Sequence, residues 1–160
     1  MLMVNMHKSL LILLTSIISS AIYSSDHAHS ESNKVQCANN SEVFLVSPKN
    51  GFKTTLSEVK VIFGSRNVDI TPAGKIVESS DCSITSGHHH LIIDSALPNL
   101  KRPIPSSKSY IHFGGGQTEA IISLDPGKYS LQLLLGDYAH VPHEKPVFSE
   151  IIEIEVLSSQ

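Results

Sequence analysis

The chain has 160 residues, with 12 Lys and Arg against 15 Asp and Glu, which gives a formal net charge of −3 with histidine neutral. A protein that holds nucleic acid through its phosphates presents a basic face, so this balance argues against nucleic acid as a partner. Once the amino-terminal segment described next is removed, the remaining length suits one domain.

The amino terminus has the pattern of a secretory signal peptide. Lys8 precedes an apolar run from Leu10 to Ile18, and small residues follow through Ser25. A charged start, a short apolar stretch and a small-residue exit predict export and cleavage, with residues 1–24 as the signal. The run is shorter than the about 20 apolar residues of a membrane span, so we expect no span in the mature protein, with an uncleaved anchor as the alternative. The mature chain is expected in the periplasm or secreted.

The cleavage position decides a conditional copper site. Cleavage after Ser24, rather than after Ala21, would begin the mature chain with Ser25, Asp26 and His27. A free amine, two amide nitrogens and a third-position imidazole can wrap Cu(II) in the square plane that this ion favours. Amino-terminal sequencing of the exported protein tests this site, because any start other than Ser25 removes it.

The two cysteines of the chain, Cys37 and Cys82, both lie in the exported part. An even pair in an oxidising compartment predicts a disulfide. It would close a loop of about 45 residues, for which the chain-entropy model gives roughly 4 kcal/mol of stabilisation. Metal ligation by the two thiolates is the alternative, because Cys82 shortly precedes His88.

The composition after the polar leader, residues 25–41, predicts an all-β domain over residues 42–158. Short apolar or alternating runs are separated by clusters of Gly, Pro, Asn and Asp, which is typical of an antiparallel sandwich or barrel with little or no helix. The predicted strands are Val43–Val46, Val59–Phe63, Leu91–Ile93, Ala120–Leu124, Tyr129–Leu135 and Ile151–Leu157.

The segment from Leu124 to Leu131 looks like the tyrosine corner of immunoglobulin-like sandwiches. In that motif a Tyr near the start of a late strand donates a hydrogen bond to the backbone just upstream. Strand alternation then places Leu131, Leu133 and Leu135 on the same face as Tyr129. Plain strand packing of Tyr129 is the alternative.

Six histidines beside turn-forming residues are the candidate metal ligands of the chain. A neutral imidazole is the commonest metal ligand in proteins. In an extended strand, residues two apart share a face, so His88 and His90 should point together and His89 should point away. The predicted ligands are the loop histidines His88, His90, His140 and His143, with His112 in reserve, brought together from three loops.

Zinc takes four tetrahedral ligands or three and a water, whereas Cu(II) accepts tetragonal sets, so copper or zinc is the expected ion. Asp94 and Asp137 could accept hydrogen bonds from the imidazole N–H groups. The run from Gly114 to Gly116 is interpreted as a bend that lets His112 approach, in preference to a phosphate cradle.

Three interpretations compete with a metal site. The triplet could be a surface tract without a partner, or the histidines could form a protonation-sensitive patch. His89 and His112 could instead be buried and hydrogen-bonded to backbone, so that they stabilise the glycine-rich loops.

Residues from about Glu42 to Leu157 resemble domain-of-unknown-function family 4399, a group of exported bacterial domains. The resemblance implies an exported immunoglobulin-like sandwich and assigns no chemistry. Family members often have His where this chain has Tyr129, so this chain has one histidine fewer and a better match to the tyrosine corner. The matching blocks are Pro72-Ala73-Gly74, Gly87 to Asp94, His112 to Glu119, Pro126-Gly127, Leu131 to Leu133, Gly136-Asp137, His140 to His143 and Pro146 to Glu150.

The sequence therefore favours an exported domain that binds copper or zinc through histidines, for sequestration or handover. A metal-independent module that docks a protein or glycan partner in the cell envelope is the first alternative. A metal enzyme with an open coordination site is the second, although no nucleophile-and-base set is visible and no catalytic residue is assigned. Glu119 and Glu144 could act as bases only beside a metal-bound water.

Overall fold

The computed structural model describes residues 40–77 and 85–158. Within these two ranges the chain forms strands and no helix. The strands are β1 (Glu42–Ser47), β2 (Phe52–Thr54), β3 (Glu58–Arg66), β4 (Val68–Ile70), β5 (Thr85–Ile93), β6 (Tyr110–His112), β7 (Glu119–Ser123), β8 (Gly127–Gly136) and β9 (Ile152–Val156). Each predicted strand coincides with an observed one, and the short strands β2, β4 and β6 were not predicted.

The strands form the two sheets of a β-sandwich, which confirms the predicted fold class. One sheet has the order β1-β3-β7, and the other has the order β2-β9-β8-β5-β4 with β6 also paired to β5. Two short edge pairs, β2 with β9 and β4 with β5, are parallel, and the remaining pairs are antiparallel.

The main core lies between the sheets and follows the strand alternation. Leu131, Leu133 and Leu135 of β8 are fully buried in it, and Tyr129 packs against it, as the sequence predicted. β5 contributes Leu91 and Ile93 to the same core. Alternate residues of a strand point to opposite faces, so these contacts fix which side of the large sheet each residue of β5 occupies.

A second, smaller core lies on the outer face of the large sheet. Ile92 of β5 and Leu134 of β8 pack there against Ile104, which comes from the long segment between β5 and β6. Leu97, Leu100 and Tyr110 complete this cluster. The segment between β5 and β6 therefore covers part of the outer face, beside the positions of His88 and His90.

Several predictions fall outside the described residues. They are the signal peptide (1–24), nearly all of the polar leader, the conditional site at Ser25, Asp26 and His27, and the cysteines Cys37 and Cys82. Among the residues that the structure does describe, no helix is long and apolar enough to cross a membrane.

The tyrosine corner is confirmed, because the Tyr129 hydroxyl donates to the Asp125 carbonyl oxygen at 2.8 Å. Tyr129→Phe removes this hydrogen bond and keeps the ring, so we expect the free energy of unfolding to fall by about 1 kcal/mol. Urea unfolding measures the change. Tyr138→Phe, at a side chain that is 47% exposed, is the matched control and should leave stability unchanged. Equal stability of Tyr129→Phe and the wild type would contradict this role.

Candidate metal centre

The histidine triplet lies in a central strand of the large sheet. His88 pairs with Gly136 and His90 with Leu134 of β8. On the other edge, β4 pairs as far as Gly87, and β6 pairs from His90, opposite its last residue His112, to Ile92. The three histidines are consequently 0%, 0% and 1% exposed.

The prediction that His88, His90 and His112 are loop histidines is wrong. The first two lie within β5, and His112 is the last residue of β6. The predicted strand began only at Leu91, but backbone pairing along both edges of β5 extends the strand back through the triplet. His140 and His143 do lie in the loop between β8 and β9, as predicted. Two strands and one loop, rather than three loops, therefore supply the candidate ligands.

Strand alternation separates His89 from its neighbours, as predicted. Its ring faces the main core, 5.1 Å from the Phe63 ring. Its Nδ1 lies 3.4 Å from the carbonyl oxygen of Gln117, so the proton is placed on Nδ1 as the donor. His89 thus has the structural role considered among the alternatives. His88 and His90 point together on the opposite face, with ring centroids 4.8 Å apart.

His112 reaches the same place from the neighbouring strand. It pairs directly with His90, and the two rings stack at 5.0 Å. Its centroid is 4.9 Å from that of His88. A Cβ atom on Gly114 would overlap the His112 ring. The glycine run therefore leaves room for this imidazole, in agreement with the interpretation of the run as a bend.

His140 is positioned by the loop that follows β8. The Asp137 carboxylate accepts hydrogen bonds from the backbone N–H groups of Ala139 and Val141, each at 2.8 Å. His140 has a left-handed backbone conformation, with φ of 66°, and its carbonyl accepts from the Ile104 amide at 2.8 Å. Asp137 thus orders the backbone that carries His140, instead of accepting from an imidazole N–H as predicted.

Four imidazoles meet on the outer face of the large sheet: His88, His90, His112 and His140, here called the histidine cluster. One ring nitrogen each from His88, His112 and His140 lies within 4.8 Å of the other two. Nitrogens bound to one tetrahedral zinc ion stand about 3.4 Å apart, so these rings need to draw together by only about an ångström. His88 is buried, and His112 and His140 extend to the protein surface.

The inner nitrogens of the cluster have no hydrogen-bond partner within the described ranges. Both ring nitrogens of His88 and of His90, and Nε2 of His112, are buried and unpaired. Buried polar groups almost always have a partner, because desolvation without one costs about 1–3 kcal/mol per group. In each neutral ring one nitrogen carries a proton and the other a lone pair, so His88, His90 and His112 could each offer one lone pair to a cation.

Three rings of the cluster, those of His88, His90 and His112, have lowered pKa values. Burial, reinforced by His112 and His140, lowers the pKa of His88 to about 4 despite the opposing Asp137 carboxylate. Burial and the neighbouring imidazoles lower the pKa of His90 to about 3. The pKa of His112 is also lowered, by burial and then by His140. Every one of these rings therefore keeps a lone pair available to a cation.

Two predicted residues are not brought to the cluster. The Asp94 carboxylate accepts a hydrogen bond from the Ser130 amide at 2.7 Å. Asp94 follows the carboxyl end of β5, four residues and therefore roughly 13 Å along the strand from His90. His143 has a buried, unpaired Nε2, yet it is not in the three-nitrogen group. The sequence signal for His143 was its spacing from His140, but the ring contacts found among the described residues join the four cluster rings to one another and not to His143.

The model of the family described as "Domain of unknown function (DUF4399)" matches residues 61–157. The chain belongs to this family. The resemblance noted in the sequence is thereby confirmed, and the match covers β5 to β9 with all four residues of the histidine cluster. Comparisons with curated proteins and with solved structures gave no match. The chemistry of this DUF4399 domain must therefore be inferred from its own geometry.

The lowered pKa values predict acid sensitivity of the metal-free DUF4399 domain. An unfolded histidine takes up a proton near its pKa of about 6.5, whereas folded His88 and His90 stay neutral to about pH 4 and 3. The unfolded state then binds more protons below pH 6.5. As the pH is lowered below 6.5, the free energy of unfolding should decrease by up to about 1.4 kcal/mol per pH unit for each such histidine.

Urea unfolding of chelator-treated protein between about pH 7.5 and pH 5 measures this slope, above the range where most carboxylates titrate. His90→Leu removes one of the histidines with a lowered pKa and should flatten the slope. A stability that does not change over this range would show that the buried rings do not resist protonation.

Proposed function

We propose that this DUF4399 domain is an exported transition-metal-binding domain, which holds copper or zinc at the histidine cluster for sequestration or handover. The observation that carries the proposal is the approach of one nitrogen each from His88, His112 and His140 to within 4.8 Å. These residues come from β5, from β6 and from the loop after β8, so their convergence is a product of the fold and not of sequence proximity.

The donor set supports a transition metal in particular. Imidazole nitrogen suits zinc, copper, nickel and iron, whereas calcium and magnesium prefer oxygen ligands. The cluster supplies nitrogens alone, and the rings of His88 and His90 remain neutral because burial lowers their pKa values. A bound ion would therefore face little competition from protons at neutral pH.

The difference in burial supports exchange of the ion with the outside. His88 and His90 are completely enclosed, whereas His112 and His140 are partly exposed. His112 lies at the end of a three-residue strand and His140 lies in a loop. An ion could therefore enter or leave on this side, with the two buried imidazoles as the fixed end of the site.

A metal-independent interaction module is the second candidate. Its support is a pair of exposed apolar side chains, Ile76 at 65% and Tyr138 at 47% exposed. The segments that carry them are joined by a hydrogen bond from the Gly74 amide to the Tyr138 carbonyl, 2.8 Å long. In that case the cluster histidines would be structural, and a protein or glycan would dock beside them.

Metal titration of protein without a histidine tag separates the two candidates. His27 and His29 are replaced by Ala so that the leader adds no imidazole. We expect Zn(II) and Cu(II) each to bind, and His112→Ala or His140→Ala to weaken binding by more than about tenfold, because each removes a ligand. His143→Ala, in the same loop as His140, is the matched control and should bind as the wild type does.

Two outcomes would contradict the proposal. The first is wild-type binding no tighter than that of a variant without the four cluster histidines. The second is a loss of stability in His112→Ala and His140→Ala that is equally large with and without metal, measured by urea unfolding. The second result would assign the cluster to the structural alternative.

A further inference from the structure

The four rings of the histidine cluster are arranged almost as the corners of a regular tetrahedron. The centroid separations are 4.8 Å for His88–His90, 4.9 Å for His88–His112 and 5.0 Å for His88–His140. They are 5.0 Å for His90–His112, 6.0 Å for His90–His140 and 4.6 Å for His112–His140. Every ring is thus a neighbour of the other three.

These separations can be compared with the two common geometries of an ion bound by four imidazoles. A metal–nitrogen bond of about 2.0–2.1 Å puts each ring centroid about 3.2 Å from the ion. A tetrahedron then has six centroid separations of about 5.2 Å. A square plane has four separations of about 4.5 Å and two diagonals of about 6.4 Å.

The observed set follows the tetrahedron. Five separations lie between 4.6 and 5.0 Å, and only the His90–His140 separation is long, at 6.0 Å. A square plane requires a second long diagonal, which would have to join His88 to His112, yet those rings are 4.9 Å apart. Closure of the site on an ion requires the approach of His140 to His90 and also a shift of the His90 ring, because its nitrogens lie outside the group of three that meet within 4.8 Å.

His90 has the properties of a fourth ligand. It is 1% exposed, and its ring nitrogens are buried without a hydrogen bond of good geometry among the described residues, although the His88 backbone carbonyl approaches the ring. Its orientation is restricted, because a Cβ atom on Gly136 would stand 2.7 Å from its Cε1 and 3.2 Å from Cδ1 of Ile104. The ring is thereby held between β8 and the outer core, facing His88 and His112.

We infer that the histidine cluster is a closed tetrahedral site of four imidazoles, with His90 as the fourth ligand. A tetrahedral site of this kind suits a divalent ion and identifies the cargo as zinc(II). This inference rests on the proposed metal-binding function and deepens it. Four protein ligands leave no open position for a water or a substrate, which is the arrangement of a holding site and not of a catalytic one. Affinity alone does not test the choice of ion, because Cu(II) binds most nitrogen sites more tightly than zinc does.

Cobalt(II) reports both the geometry and the closure of the site. It replaces zinc in tetrahedral sites and then shows intense visible d–d absorption, whereas six-coordinate cobalt absorbs weakly. Protein without a tag, with His27 and His29 replaced by Ala, is loaded with Co(II) and then titrated with azide. We expect intense bands that zinc abolishes by displacement and that azide does not change.

His90→Ala should open one position of the site. Its cobalt spectrum should then respond to azide, and its zinc affinity should fall by more than about tenfold. Gly136→Ala, which crowds the His90 ring without removing it, should weaken zinc binding in the same direction. His143→Ala is the control and should retain the azide-insensitive spectrum of the wild type.

The possible failures are distinguishable. Weak cobalt bands, or an azide response in the wild-type protein, would overturn the closed tetrahedral site while leaving metal binding itself in place. This result needs no variant, so it stands even if His90→Ala does not fold. An unchanged zinc affinity in a folded His90→Ala protein would exclude His90 as a ligand. Absence of binding by zinc, copper and cobalt would remove the proposed function and this inference together.

Discussion

The structure of the site depends on the pairing of β5 along both of its edges. β8 holds one edge, while β4 and β6 hold the two halves of the other. The amides of Thr71 and Phe113 donate to the carbonyls of Gly87 and His89, which extends the pairing across the gap between β4 and β6. Three consecutive histidines are thereby held extended and removed from solvent, and burial of their polar nitrogens is unfavourable unless a partner is supplied.

The partners of the buried histidine nitrogens differ between the two faces of β5. On the inner face, His89 packs against Phe63 and approaches the Gln117 carbonyl, so a backbone group supplies one of its partners. On the outer face, His88 and His90 pack against other imidazoles, and the His88 backbone carbonyl is the one acceptor that approaches the His90 ring among the described residues. Gly114 and Gly136 lack the side chains that would displace the rings, and Asp137 orders the loop that brings in His140. Under the proposed function, a bound cation would satisfy one lone pair of each of the four rings at once.

Much of this fold could be predicted from the sequence where the signal was periodic or specific. Alternation along β5 and β8 correctly separated His89 from its neighbours and placed Leu131, Leu133 and Leu135 in the core. The tyrosine corner had a recognisable local motif. In contrast, β2, β4 and β6 have three residues each and owe their existence to partners distant in sequence, so no local pattern marks them. The predicted strand began at Leu91, and its extension back through the triplet depends on pairing with β4 and β8, which residue spacing does not encode.

The central claim is that a single ion is bound between four imidazoles on the outer face of the large sheet. Anomalous diffraction at the zinc absorption edge, from crystals of zinc-loaded protein, tests it most directly. If zinc is bound at the histidine cluster, one anomalous peak should lie about 2.0–2.1 Å from a ring nitrogen of each of His88, His90, His112 and His140. A peak ligated by His143 or by the cysteines, or a peak with fewer than three of these imidazoles around it, would contradict a metal site at the histidine cluster.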